Sequence, residues 1–210
     1  MPWNLPRAVA RTTRSGIPGY IPAMPLLASR RVHTGRILNL DLDQVRFPNG
    51  TEATLKMVRH PGAAAIVPFL DPPEDPDPRV LLIRQFRHAA NGWLWEVPAG
   101  TRDGTEPLDR CAARELQEEA GCSADRLEQL AAIYTTPGFT DEVIHLYLAT
   151  GLTRGRVAHE ADEFMEVHEV RWSEVGRMIR AGEIRDAKTL ATLMYVQCFV
   201  RPAAPAGSSR

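Results

Sequence analysis

GTRDGTEPLDRCAARELQEEAGC, Gly100–Cys122, is the stretch on which the fold and the chemistry of this chain turn. Pro107 suits a first helical turn and Gly121 a helical stop, so the spacing predicts a helix from about Pro107 to Ala120. Winding it at about 100° per residue puts Leu108, Cys111 and Ala112 within roughly 60° of Glu115. Glu118 and Glu119 fall on that same stripe, while Asp109, Arg110, Ala113 and Gln117 collect on the opposite, solvated side.

The stripe thus begins apolar, aimed at a core, and ends in three carboxylates. An ordinary surface helix keeps its acids away from its apolar side. Like charges three and four residues apart repel, and the C-terminal end of a helix disfavours anions. Partial burial adds a desolvation cost. Arg114, on the flank, brings one positive charge against three negative ones. A hard divalent cation offsets such an excess, and Mg²⁺ commonly takes one or two carboxylates with water and substrate phosphate. On this pattern alone, a solvated acidic helix end is the competing reading.

Before the helix, GRILNLDLDQVRF and TEATLKMVRH alternate on either side of FPNG (Phe47 to Gly50), which predicts a hairpin. AAAIVPFL (63–70), RVLLIRQF (79–86) and WLWEVPAG (93–100) read as short strands, the first two linked by the loop DPPEDPDP. LEQLAAIYTT, EVIHLYLAT and FMEVHEVRW are three more strand candidates. Two helices follow, one from Ser173 and one from Asp186, each expected to carry a capping residue in front. Strands with interspersed helices indicate an α/β (α+β) fold with a mixed sheet.

With 210 residues, 44% hydrophobic, the chain can bury one full core. A net charge of −1 gives no bulk argument for nucleic acid or membrane as a partner. Cys111, Cys122 and Cys198 form neither a CxxC pair nor an even disulfide framework, and no apolar run reaches the roughly 18 residues of a membrane span. The expectation is a soluble, cytoplasmic protein. Residues 1–32 contain five arginines and no acid, a transit-like bias that Pro2, Pro6, Pro18, Pro22 and Pro25 set against any amphipathic helix. They read as a loosely structured basic arm or an over-extended start, with targeting or partner binding as the alternative. Residues 33–200 form the expected domain, with 33–60 its N-terminal hairpin, and 201–210 a flexible tail.

Gly100, Glu106, Arg114, Glu115, Leu116, Glu118, Glu119 and Gly121 match the Nudix signature place for place, with Cys122 where Ile, Leu or Val is usual. HPGAAAIVPF (60–69), IRQFR (83–87), WEVPAG (95–100) and YTTPGFTDE (134–142), with Pro137 past the box, resemble its ADP-ribose pyrophosphatase branch. The resemblance covers about residues 33 to 200. It implies the Nudix α/β/α sandwich with a mixed sheet and an N-terminal β-hairpin extension. It also implies a homodimer in which that hairpin reaches the neighbouring subunit.

The activity it implies is Mg²⁺-dependent (or Mn²⁺-dependent) hydrolysis of ADP-ribose to AMP and ribose 5-phosphate. Carried over by position, Glu115 and Glu119 hold metal, Glu118 assists, and the Ala99 carbonyl joins them. Arg114 orients these acids. Arg87, nine residues before Glu96, contacts phosphate or ribose, Glu96 stands beside the metals, and Arg59 reaches substrate across the dimer. Phe139 lines the terminal ribose site. In the acidic loop HEADEFMEV, Glu163 is the expected general base, with Glu160 and Asp162 as alternatives. Another nucleoside diphosphate derivative (a nucleotide sugar or dinucleotide) is the rival substrate, and a non-catalytic ADP-ribose sensor the rival class.

Overall fold

AAAIVP, Ala63–Pro68, is apolar at every position because both its faces are covered, as a central strand requires. In the computed structural model, which describes residues 24–155 and 165–201, it is the fourth of ten strands. These are β1 (Leu26–Thr34), β2 (Asn39–Arg46), β3 (Glu52–Arg59), β4 (Ala63–Pro68), β5 (Arg79–Arg87), β6 (Gly92–Glu96), β7 (Ala99–Thr101), β8 (Cys122–Tyr134), β9 (Val143–Arg154) and β10 (Met165–Arg171). The helices are α1 (Leu108–Ala120), α2 (Trp172–Arg180) and α3 (Ala187–Tyr195).

β4 lies between β7 and β9 in a four-stranded sheet of order β7-β4-β9-β8, parallel to β9 and antiparallel to β7. β5 is the centre of an antiparallel sheet β10-β5-β6. Alternation along β4 divides the core. Ala64 and Ile66 pack with Cys111, Ala112 and Leu116 of α1, while Ala63, Ala65 and Val67 pack with Val175 and Met178 of α2 and Leu193 of α3. Helices therefore cover both faces, giving the expected α/β/α sandwich with a mixed sheet.

Helix termini differ in how they are made. Asp186 caps α3 as its position predicts, its carboxylate accepting from the Thr189 amide at 2.9 Å. Ser173 caps nothing. Helix α2 starts one residue earlier, and Asp77, from the acidic loop, accepts from the Ser173 amide at 2.8 Å and its hydroxyl at 3.1 Å. That contact holds the Asp77 carboxyl below the usual range. α3 gives way at Val196 to one wide π turn rather than continuing to residue 200 as a regular helix.

The expected hairpin is present as β2 and β3, with Phe47 accepting from Gly50 across the turn. It gains a third strand. β1 takes residues 26–32 out of the expected arm and pairs along β2, setting Arg31 opposite Asp41 and Ser29 opposite Asp43. These polar cross-strand pairs, rather than apolar alternation, fix the strand. Arg201, first residue of the expected tail, donates to the carbonyls of Pro73 at 2.6 Å, Asp75 at 3.1 Å and Pro76 at 3.2 Å, and lies over the Trp172 ring.

Candidate active site

The acidic end of α1 faces β7 and the turn that precedes it. Glu115 and Glu119, one turn apart, are 7% and 3% exposed, whereas Glu118 stays half-exposed at the rim. Glu119 Oε2 accepts from the Ala99 amide at 2.7 Å, tying the helix to the residue whose carbonyl the resemblance assigns to metal. Glu115 lies against the Gly100 backbone so closely that an added Cβ would fall 2.1 Å from its carboxyl carbon. Only glycine leaves that carboxylate its place.

Arg114 collects the acids. Its Nη1 donates to Glu115 at 2.7 Å and Glu118 at 3.0 Å, and its Nη2 to Glu106 at 3.1 Å and the Thr101 carbonyl at 3.0 Å. Burial works against the guanidinium's charge, but the surrounding carboxylates outweigh it and raise the Arg114 pKa. In return, Arg114 lowers that of Glu106. Cys111, on the same stripe, is a buried thiol pushed up to about 12 by desolvation and then by Glu115, so it is inert as a nucleophile.

A second ionic cluster lies across the cleft. Glu96, 1% exposed, accepts from Arg87 Nε and Nη2, both at 2.8 Å. Lys188 Nζ reaches the same carboxylate and also Asp186 Oδ2, the latter at 3.1 Å. Burial alone would raise the Glu96 pKa; Arg87 and Lys188 overcome it and lower it. Arg87, opposite Gly92, reaches along the β5–β6 hairpin to Glu96, opposite Ile83, and both residues were singled out by the resemblance. Lys188 was not, because it arrives from a helix 92 residues away and only its place beside the capping Asp186 hints at a role.

A cleft of about 1070 Å³ joins the two clusters. Arg87, Ala99, Gly100, Arg114, Glu115, Glu118, Glu119 and Lys188 line it on the catalytic side, and Arg36, Asn39, Arg59 and His60 at the N-terminal end. Arg59 points its guanidinium at Asp41 and Asp141, at 3.1 and 3.2 Å, and also bonds Asp43. Phe139 is half-exposed on the turn before β9, outside the residues that line the cleft. Glu160, Asp162 and Glu163 lie outside the described residues.

The donor set is hard oxygen throughout, two of the carboxylates are buried side by side, and a glycine keeps room beside one of them. These features fit a divalent cation. Among the described residues no group of three or more His, Cys, Asp or Glu side chains is placed to hold a metal ion. Nor is any described helix long and apolar enough to cross a membrane.

Comparison with known proteins agrees with this geometry. An ADP-ribose pyrophosphatase of Bacillus subtilis (strain 168) is 34% identical over 173 residues, 81% of this chain and 91% of that protein. A GDP-mannose pyrophosphatase of Cronobacter sakazakii is 40% identical over 128 residues, 56% of this chain and 66% of that protein. A solved ADP compounds hydrolase superposes with a TM-score of 0.69, covering 85% of this chain and 94% of its own, at 21% identity, and so shares the fold. The NUDIX domain model spans residues 59–193, from the cleft arginine Arg59 through all of α1 to α3. With its acids intact and buried where that family carries its signature, the chain belongs to the NUDIX family of hydrolases.

Proposed function

We propose that the protein hydrolyses the pyrophosphate bond of ADP-ribose, with Mg²⁺, to AMP and ribose 5-phosphate. One observation carries this reading: Glu115 and Glu119, one helical turn apart, bring two buried carboxylates together at the wall of the cleft, where a divalent cation and a diphosphate can be held. The first relative reported above, aligned over nine-tenths of its own length, supports ADP-ribose as the diphosphate. A nucleotide sugar is the second reading, supported by the GDP-mannose relative over a shorter span.

In this reading Glu115 and Glu119, with Glu118 and the Ala99 carbonyl, hold the ion. Bound there, Mg²⁺ would activate water and offset charge building on the phosphate oxygens. Arg114 holds the carboxylates in register from behind. Arg87, fixed by Glu96, donates to a phosphate oxygen. Glu163 takes the proton of the attacking water, and Arg59, at the N-terminal end of the cleft, reaches the substrate. The exposed apolar side chains Leu26, Leu27, Val32, Ile37 and Leu38 around β1 support a homodimer built through the N-terminal sheet. The buried, unpaired Cys111 and Cys122 suit the reducing cytoplasm.

A panel of nucleoside diphosphate derivatives incubated with Mg²⁺, with products separated by chromatography, tests the substrate. AMP with ribose 5-phosphate as the preferred products supports the proposal; a clear preference for GDP-mannose gives the second reading instead.

A further inference from the structure

Among the described residues, two buried side-chain polar atoms have no hydrogen-bond partner, Asn39 Oδ1 and Gln85 Oε1, and both belong to residues lining the active-site cleft. Gln85 is the sharper case because the whole residue is only 6% exposed. Alternation along β5 puts Leu81, Ile83, Gln85 and Arg87 on one face. Leu81 and Ile83 go into the interior, while Gln85 and Arg87 emerge at the cleft wall. A buried amide oxygen left without a donor keeps its full desolvation cost, and an apolar side chain of the same size would not. The free protein is therefore less stable for having glutamine there.

We infer that Gln85 is a specificity residue whose side-chain oxygen accepts a hydrogen bond from a sugar hydroxyl of the substrate. The neighbouring groups narrow the donor. Arg87 lies two positions along the same face, about 6.6 Å away by strand rise, with Nε and Nη2 fixed on Glu96. Lys188 bonds that same carboxylate. A ligand touching both places offers oxygen acceptors to the cations and an O–H donor one sugar's width away. A sugar attached to a phosphate has that pattern; a purine or pyrimidine edge, flat and distant from its phosphate, does not. The missing partner of Gln85 is thus a hydroxyl of the sugar adjacent to the phosphate that Arg87 contacts.

This inference rests on the proposed reading for the identity of the sugar nucleotide. The test uses Gln85→Met, which keeps the volume and removes the acceptor. Two readouts should move in opposite senses. The thermal midpoint of the ligand-free protein should rise by about 2–4 °C, as an uncompensated polar atom leaves the interior. On ADP-ribose, kcat/KM should fall about tenfold or more. With ADP-ribose analogues each lacking one hydroxyl of the terminal ribose, one analogue should be as poor for the unaltered protein as for Gln85→Met. The penalty of the substitution disappears on that analogue alone.

An equal loss on the intact substrate and on every deoxy analogue would mean the donor is a held water, and would overturn the inference. A lower thermal midpoint with unchanged kcat/KM would overturn it too, by making Gln85 a packing residue. If ADP-ribose is not turned over and GDP-mannose is, the proposed substrate fails, and the same comparison with deoxymannose analogues still decides the role of Gln85.

Discussion

Asp41 and Asp43 in the N-terminal sheet and Glu115 and Glu119 at the end of α1 are four acids between 3% and 7% exposed. Their surroundings are not alike. In the sheet, Arg31 and Arg59 stand against the two aspartates, with the Ser29 hydroxyl donating to Asp43 at 2.7 Å, so each negative charge meets a positive one. At the helix end, the guanidinium of Arg114 is shared among Glu106, Glu115 and Glu118, while Arg87 stands within charge range of Glu119. The first arrangement is balanced as it stands and holds strands in register. The second gathers the carboxylates of one helix end around a shared guanidinium at the wall of a cleft. Burial of acids alone does not mark a site; their convergence on a cleft does.

The comparison breaks most readily at Glu119. Glu119→Gln removes one charge from the buried pair and should lower Mg²⁺-dependent turnover by at least about a hundredfold. Its circular dichroism spectrum should stay native. Activity within a few-fold of the unaltered protein would remove the functional half of the contrast. Gly100→Ala attacks the same site through space alone, since its Cβ would occupy the place of the Glu115 carboxylate. It should lower kcat/KM about tenfold or more and raise the Mg²⁺ concentration needed for half-maximal rate. An alanine protein with unaltered Mg²⁺ demand would show that Glu115 need not rest there.

The balanced half should respond in stability. Arg59→Ala leaves Asp41 and Asp43 short of a cation and should lower the thermal midpoint by several degrees. The side-chain hydrogen bond from Arg31, then that from Arg59, holds the Asp41 carboxyl below its usual range, with burial opposing them. A depressed folded pKa stabilises above the unfolded value and loses that stability as pH falls through the folded one. Acid unfolding followed by circular dichroism should therefore begin at higher pH in Arg59→Ala. An unshifted acid transition would mean the network contributes nothing to folding. Asp77→Ala, which removes the borrowed cap of α2 far from either cluster, should give the smallest change. A thermal midpoint lower by no more than a few degrees, with turnover unaltered, is the expected result of a scan paired with the activity assay.

The site was legible where function and local periodicity coincide. Glu115, Glu118 and Glu119 share a helix with Arg114, so winding that helix was enough to bring them together. Arg87 and Glu96 were named by the resemblance for separate roles, and their contact with each other, four positions out of register on the β5–β6 hairpin, came only with the fold. Lys188 and Gln85 escaped for opposite reasons. Lys188 reaches Glu96 only because α3 packs beside β6, which no local pattern encodes. Gln85 looks in sequence like an ordinary polar break in the run RVLLIRQF; its significance is a missing partner, visible only once the surroundings are in place.

By itself the sequence determined the class of fold, the helix that bears the acids, the short apolar strand at 63–70 and the Asp186 cap. Each depends on residues within a turn or two of one another, where backbone periodicity dictates direction. The tertiary structure decided which acids meet which cations, that Asp77 rather than Ser173 caps α2, that β1 completes the N-terminal sheet, and that Glu96 is held from both sides. Those outcomes depend on groups distant along the chain meeting in space, and the strength of a charge or a hydrogen bond is set by its neighbours and its burial, not by its place in the sequence.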